Sequence, residues 1–171
     1  AVILFTSQTK VLSVLIYEGR LDEARDEATA LVQRRPKFAH YNYWRGIAAW
    51  YAGEPAEARR WIEQAYALDP ADPIAQGVLA FVLAAEGGEN GRARVRELLE
   101  TAEPGAAADG TFTYWIAKVH ALLGDSAAAL DWIRKAAALG YWDAPWMRKD
   151  AALAALQQRL LSLVTVATES S

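Results

Sequence analysis

Between Trp50 and Pro70 the chain reads WYAGEPAEARRWIEQAYALDP, and its apolar positions keep a helical beat. Ala58, Trp61, Ile62 and Ala65 stand at i, i+3, i+4 and i+7, one face of an α-helix. Glu57, Arg59, Arg60, Glu63 and Gln64 take the other face, with Arg59 and Glu63 spaced as an i,i+4 ion pair. Gly53 suits the position just past a preceding helix, where the backbone turns left-handed. Pro55 suits the first turn of the next helix, where its missing N–H is no loss, and Pro70 closes the unit. The pattern predicts an amphipathic helix punctuated at both ends, with Trp61 buried between neighbouring units.

The same grammar recurs. Thirty-four residues upstream, Gly19, Ala24, Ala28, Leu31 and Pro36 replace Gly53, Ala58, Ile62, Ala65 and Pro70. Seventy-one residues downstream of the reference set, Gly124, Ala129, Ile133 and Ala136 repeat its mutual spacings. Between them AAEGGENGRARVRELLETAEP keeps the plan with a longer turn, from Gly87 to Ala93, and Arg92 or Ala93 competes for the small position. Four units at a period near 34 residues predict stacked helix pairs, since one pair alone cannot bury its apolar face. Alanine is abundant, Val, Ile and Thr are scattered, and no alternating strand pattern appears.

With a mid-helix glycine (Gly46), a turn glycine, a small–large–small series and a closing proline, the chain resembles the tetratricopeptide-repeat family over about residues 5–139. The resemblance implies an all-α, right-handed α-solenoid of about four helix-turn-helix repeats, at about 1–37, 38–72, 73–105 and 106–139. A C-terminal capping segment is expected at 140–164, built on an amphipathic helix through Ala151, Ala152, Leu153, Leu156, Leu160 and Leu161, with a tail at 165–171. GYWDAPWMRKDAALAALQQRLLSLV also resembles the piece that closes repeat regions in bacterial multidomain signalling proteins, which makes a bacterial source the expectation.

Composition removes whole classes of function. There is no cysteine, so disulfides, thiol catalysis and cysteine zinc sites are excluded. A net charge of −3 gives no electrostatic reason to expect nucleic acid or an anionic membrane. The apolar runs fall short of the roughly 18 residues a membrane helix needs. Ala1–Phe5 lacks the charged leader and long apolar core of a signal peptide. The chain opens mid-pattern without methionine and reads as a piece of a longer protein, and the cytoplasm is its expected location.

Catalytic chemistry is not legible. His40 and His120 have no second histidine or carboxylate at ligand spacing on their own helix. His120 reads as a core or half-buried side chain, and His40, near a helix start, as solvated. GGENG at 87–91 lacks the strand and lysine of a phosphate loop. Arg92, Arg94 and Arg96 point in different directions from a helix and are followed by Glu97 and Glu100, a solvated face. Asp22, Glu23, Asp26 and Glu27 sit early in a helix, where the macrodipole favours them. No enzyme activity, cofactor or metal is expected.

In the family the first helix of each pair lines a concave surface. Carried over by register, the peptide-binding groove would comprise Tyr17, Tyr43, Trp44, Ile47, Trp50, Tyr51, Phe81, Tyr114, Trp115 and Lys118, with His40, Ile74 and Val78 at further groove positions. Aromatic surfaces of this kind dominate binding hot spots. The basic and amide clamp by which some members hold chaperone C-termini is missing, because its positions here are Thr9, Ser13, Trp44, Ile74 and Val78. The resemblance therefore implies a protein–protein interaction scaffold taking an apolar peptide or protein segment, with Lys10, Arg45 or Lys118 meeting its acidic groups. The partners expected are protein or peptide, without nucleic acid or membrane insertion, and a homo-oligomer is compatible with the pattern. The alternative is a regulatory or sensory segment of a larger bacterial signalling enzyme or transcription regulator. There the groove would be used intramolecularly, filled by the C-terminal segment or a neighbouring domain, or for a small apolar effector.

Overall fold

The computed structural model describes residues 2–106, 109–141, 147 and 150–156. These residues form eight α-helices in four hairpins: α1 (Val2–Tyr17) with α2 (Leu21–Arg34), α3 (Ala39–Tyr51) with α4 (Pro55–Leu68), α5 (Pro73–Glu86) with α6 (Glu89–Ala106), and α7 (Gly110–Leu123) with α8 (Ser126–Ala138). A short 3-10 helix, Ala151–Leu156, packs on α7. No strand occurs among the described residues. Each hairpin packs on the next, α2 on α3, α4 on α5 and α6 on α7, while α5 also meets α7 directly. The first helices of the hairpins thus share one face of the stack.

The local causes are those of the pattern. Gly53 has φ +77° and ends α3, and Gly19 and Gly124 repeat that geometry at φ +76° and +84°. Pro55 and Pro73 open α4 and α5, and the side chains of Asp72, Asp109 and Asp125 accept N-cap bonds from Ile74, Phe112 and Ala128. Small residues then let the helices close. A Cβ on Gly46 would lie 2.5 Å from Ile62 Cγ1 and 3.0 Å from the Ala58 carbonyl oxygen, so α3 and α4 cross at a separation only glycine permits. Ala58, Ile62 and Ala65, and their equivalents Ala129, Ile133 and Ala136, are all sealed from solvent.

A second device ties each repeat to the one before it. Asn42 Nδ2 donates to the carbonyls of Pro36 (3.0 Å) and Phe38 (2.9 Å), and Gln76 Nε2, thirty-four residues on, donates to that of Pro70 (2.8 Å). A buried amide one turn into the first helix therefore holds the closing proline of the preceding unit. In α7 the corresponding residue is Thr113, whose hydroxyl donates to the Asp109 carbonyl at 2.7 Å.

Three local expectations change. The third unit's small position is Val95, fully buried together with Ala102, whereas Ala93 and Arg92 are exposed. The longer turn moves the register by three residues, so the buried series there is Val95, Leu99 and Ala102. Trp61 is only half-buried: its Nε1 donates to Glu57 at 2.7 Å, and the guanidinium of Arg60 lies 4.7 Å from its ring. The indole lies beside the polar face because Ile62 takes the inward direction. Of the expected capping helix, residues 151–156 form the 3-10 turn, and the continuation through Leu160 and Leu161 lies outside the described residues.

Candidate functional site

On α3, Tyr43, Trp44, Ile47, Trp50 and Tyr51 fall within one helical stripe, and the stacking sets it beside α5 and α7. Edge-on ring contacts then run across the repeats, Trp50 to Phe81 at 5.2 Å and Phe81 to Trp115 at 4.9 Å. The structure brings the ten groove residues onto this face, but most are closed off from water. Tyr43, Trp44, Ile47, Phe81, Tyr114, Trp115 and Lys118 are buried, and Tyr17, Trp50 and Tyr51 are half-buried.

One end of the face is covered by the chain itself. Lys118 is 1% exposed, and its ammonium lies 3.3 Å from the centre of the Trp115 ring and 4.6 Å from that of Phe81. It donates to the Tyr51 hydroxyl at 3.0 Å and lies 3.5 Å from Asp150 Oδ2. That same oxygen accepts from the Tyr114 hydroxyl at 2.9 Å. The other oxygen, Oδ1, accepts from the Ala152 N–H at 3.0 Å and so caps the 3-10 helix. Leu153, Leu156 and Met147 are buried. Farther along, the hydroxyls of Tyr17 and Tyr141 lie 2.8 Å apart, and Tyr141 stacks on Tyr114. Burial pushes Lys118 down to about 8 even though Asp150 opposes the shift, and it pushes Tyr51 and Tyr114 upward.

Among the described residues, the other end stays open. A cavity of about 130 Å³ is lined by His40, Tyr43, Trp44 and Ile47 from α3, Ile74 and Val78 from α5, and Asp109, Thr111, Phe112 and Trp115 at α7. A cavity of roughly 150 Å³ holds a benzene-sized group, so this one suits a single apolar side chain. The Trp44 indole nitrogen is buried, with the Tyr43 hydroxyl as its polar neighbour. His40 is not solvated as its position suggested. It is partly buried with a ring nitrogen 2.5 Å from the Tyr43 hydroxyl, and burial lowers its pKa to about 4, which keeps it neutral.

Of the three candidate cations, only Lys118 takes a place among the aromatic rings. Arg45 turns toward α4, 3.8 Å from Glu57, and Lys10 is exposed on α1. His120 is half-buried and pairs at 2.8 Å with Glu103 of α6. Among the described residues no cluster of three or more His, Cys, Asp or Glu could hold a metal, and no helix is long and apolar enough to cross a membrane. Asp150, Tyr141, Asp109, Thr111 and Phe112 escaped the sequence reading. Extending the groove register of α7 one turn toward its start finds Phe112, whereas nothing local in sequence pairs Asp150 with Lys118.

The family comparison matches Tetratricopeptide repeat over residues 13–73, from the second half of α1 to the start of α5. No curated protein matches. Among solved structures, the MamA RS-1 ArsTM double mutant superposes with a TM-score of 0.53 at 16% identity, covering 97% of each chain. That likeness shows the fold. Residues 13–73 thus match the tetratricopeptide-repeat family, and helix pairs on the same plan continue as far as Ala138.

Proposed function

We propose that this chain is a protein–protein interaction scaffold, without catalysis of its own, whose concave aromatic face takes an apolar segment of a partner. The observation that carries this reading is the cavity between α3, α5 and α7, left open on a face otherwise closed by side chains and by residues 150–156. Its walls are mostly aromatic and aliphatic, with His40, Asp109 and Thr111 as polar members of the lining that can orient a bound segment. A Trp or Tyr surface of this kind yields affinity at small entropic cost. The partner segment would seat one apolar side chain in the cavity.

The test is affinity capture with the wild-type chain beside Trp44→Ala and Val78→Trp, the latter filling the cavity. A captured protein, purified and titrated, should lose at least ten-fold in affinity with both variants while their helix content stays native. Unchanged affinity for both would remove the cavity from the interaction.

The second reading, a regulatory segment of a larger signalling protein, draws on a different observation. Asp150 and the leucines that follow it already engage the groove from within the chain. A signalling or DNA-binding domain in the parent protein whose output changes with Lys118→Met would favour that reading.

A further inference from the structure

The cage around Lys118 is assembled entirely from the repeats: Tyr51 from α3, Phe81 from α5, Tyr114 and Trp115 from α7. Residues 150–156 contribute only a carboxylate and the leucines behind it. A buried ammonium is a costly choice on an aromatic face, since an apolar side chain of the same length would pack there without desolvation. What the ammonium adds is discrimination, because a carboxylate is held and a neutral group is not. The occupant now in place shows the required form. Asp150 presents Oδ2 to Lys118 and Tyr114, uses Oδ1 to cap a helical turn, and sets Leu153 and Leu156 at +3 and +6. The occupant's described residues after Asp150 form a 3-10 helix, Ala151–Leu156, with the poorer hydrogen-bond geometry of that form.

We infer that the Lys118 cage is a receptor for an acidic residue at the N-cap of an amphipathic helical segment, with apolar side chains three and six positions on, and that Asp150–Leu156 is its exchangeable internal occupant. The partner class is therefore a protein segment of the form Asp-x-x-Leu-x-x-Leu that competes with the chain's own. This rests on the reading of the concave face as a binding surface. It concerns the end opposite the open cavity, so failure here leaves the Trp44 test standing.

The probe is a fluorescein-labelled peptide of residues 147–160, MRKDAALAALQQRL, titrated by anisotropy against the full 171-residue chain. Leu153→Ala/Leu156→Ala in the chain loosens the internal occupant, and this form should bind the peptide at least ten-fold more tightly than wild type. Asn in place of the peptide's Asp should weaken that binding at least ten-fold, and Lys118→Met in the loosened chain should abolish the difference. No binding by a loosened chain of native helix content, or equal binding of the Asp and Asn peptides, overturns the proposal. Should the loosened chain lose helix, wild type labelled at Ala151→Cys replaces it, the only thiol in a chain with no cysteine. Excess Asp peptide should then lower the label's anisotropy and the Asn peptide should not, and equal responses overturn the proposal. A doubled mass in light scattering that falls on adding the peptide would assign the site to exchange between two copies of the chain, and would also overturn it.

Discussion

The ammonium of Lys118 and the carboxylate of Asp150 lie 3.5 Å apart, 1% and 4% exposed as side chains, and no water-facing route relieves either charge. Attraction within such a pair roughly offsets desolvation, but removing one partner strands the other. Asp150→Asn should therefore destabilise the chain by about 3 kcal/mol. Adding Lys118→Met should recover most of the loss, because the stranded ammonium goes with it. Urea melts of the three variants decide this. Wild type and Asp150→Asn melting at the same midpoint would mean that the pair contributes nothing.

Burial holds Lys118 at about 8 in the folded chain, below its unfolded value of 10.5. The unfolded state thus binds the extra proton more readily between these values, and stability rises with pH there. Below pH 8 the penalty of the buried charge is fully present, and it fades as pH climbs toward 10.5. From pH 7 to pH 9 wild type should gain about 1 kcal/mol relative to Lys118→Met. Asp150 and the hydroxyls of Tyr51 and Tyr114 face the ammonium, and the two tyrosines set the upper limit of the window. Both tyrosines are pushed upward in the fold, so their ionisation in the unfolded chain reverses the trend above pH 10. Guanidinium melts at pH 7 and 9 check the sign, and a wild type that loses ground to Lys118→Met over that range would contradict it.

Asn42 and Gln76 perform one task at two junctions, each binding a carbonyl of the closing proline of the previous repeat. Loss of a buried hydrogen bond that leaves its acceptor unpaired costs about 1–3 kcal/mol. Gln76→Leu should show an effect of that size, and Asn42→Leu more, since Asn42 serves two carbonyls. Hydrogen exchange should show the loosening concentrated at the α4–α5 junction for Gln76→Leu. Uniform loosening along the chain would argue against a junction-specific role.

What was readable in the chain was whatever repeats locally. Gly53, Ala58, Ile62 and Ala65 obey steric rules within one hairpin, so their spacing carries the helix pair directly. Asn42 and Gln76 were equally readable at thirty-four residues apart, but an amide amid aromatics does not advertise a partner behind it in the chain. The third unit misled because Ala93 is small, and size alone could not show that the longer turn hands its place to Val95. The aromatic face was legible as a face. Its cover by the C-terminal segment was legible only as an alternative, and the pairing that makes it was not, because Asp150 reaches Lys118 through tertiary packing across 32 residues and the 3-10 turn leaves no period to read.

Trp61 and Ile62 are neighbours on α4 with opposite fates, the first half-buried and the second fully so. Ile62→Ala removes a core side chain that Gly46 was shaped to receive, and should cost about 3–4 kcal/mol. Trp61→Ala gives up a partly solvated packing surface and the bond to Glu57, about 1–2 kcal/mol in sum. The order of the two losses is the prediction, and urea melts read it. A larger loss for Trp61→Ala would place the indole between the repeats after all.

His40 connects the open cavity to pH. Its ring is held neutral at about 4 by burial, whereas an unfolded histidine titrates near 6.5. As pH falls through 6.5 the unfolded chain takes up a proton that the folded chain refuses, so stability is lost from there toward pH 4. The surroundings offer little relief: Phe38, Tyr41 and Tyr43 pack against the ring, and Asp109 across the cavity is the one carboxylate among its lining residues. His40→Gln keeps a hydrogen-bond acceptor for the Tyr43 hydroxyl and cannot titrate. Between pH 7 and pH 5 wild type should lose about 1–2 kcal/mol relative to that variant. The comparison cancels Asp72, whose carboxyl is raised by its own burial in both forms. An NMR titration places the midpoint directly, and a value near 6.5 would show that the His40 ring stands in water and that the cavity wall is open there.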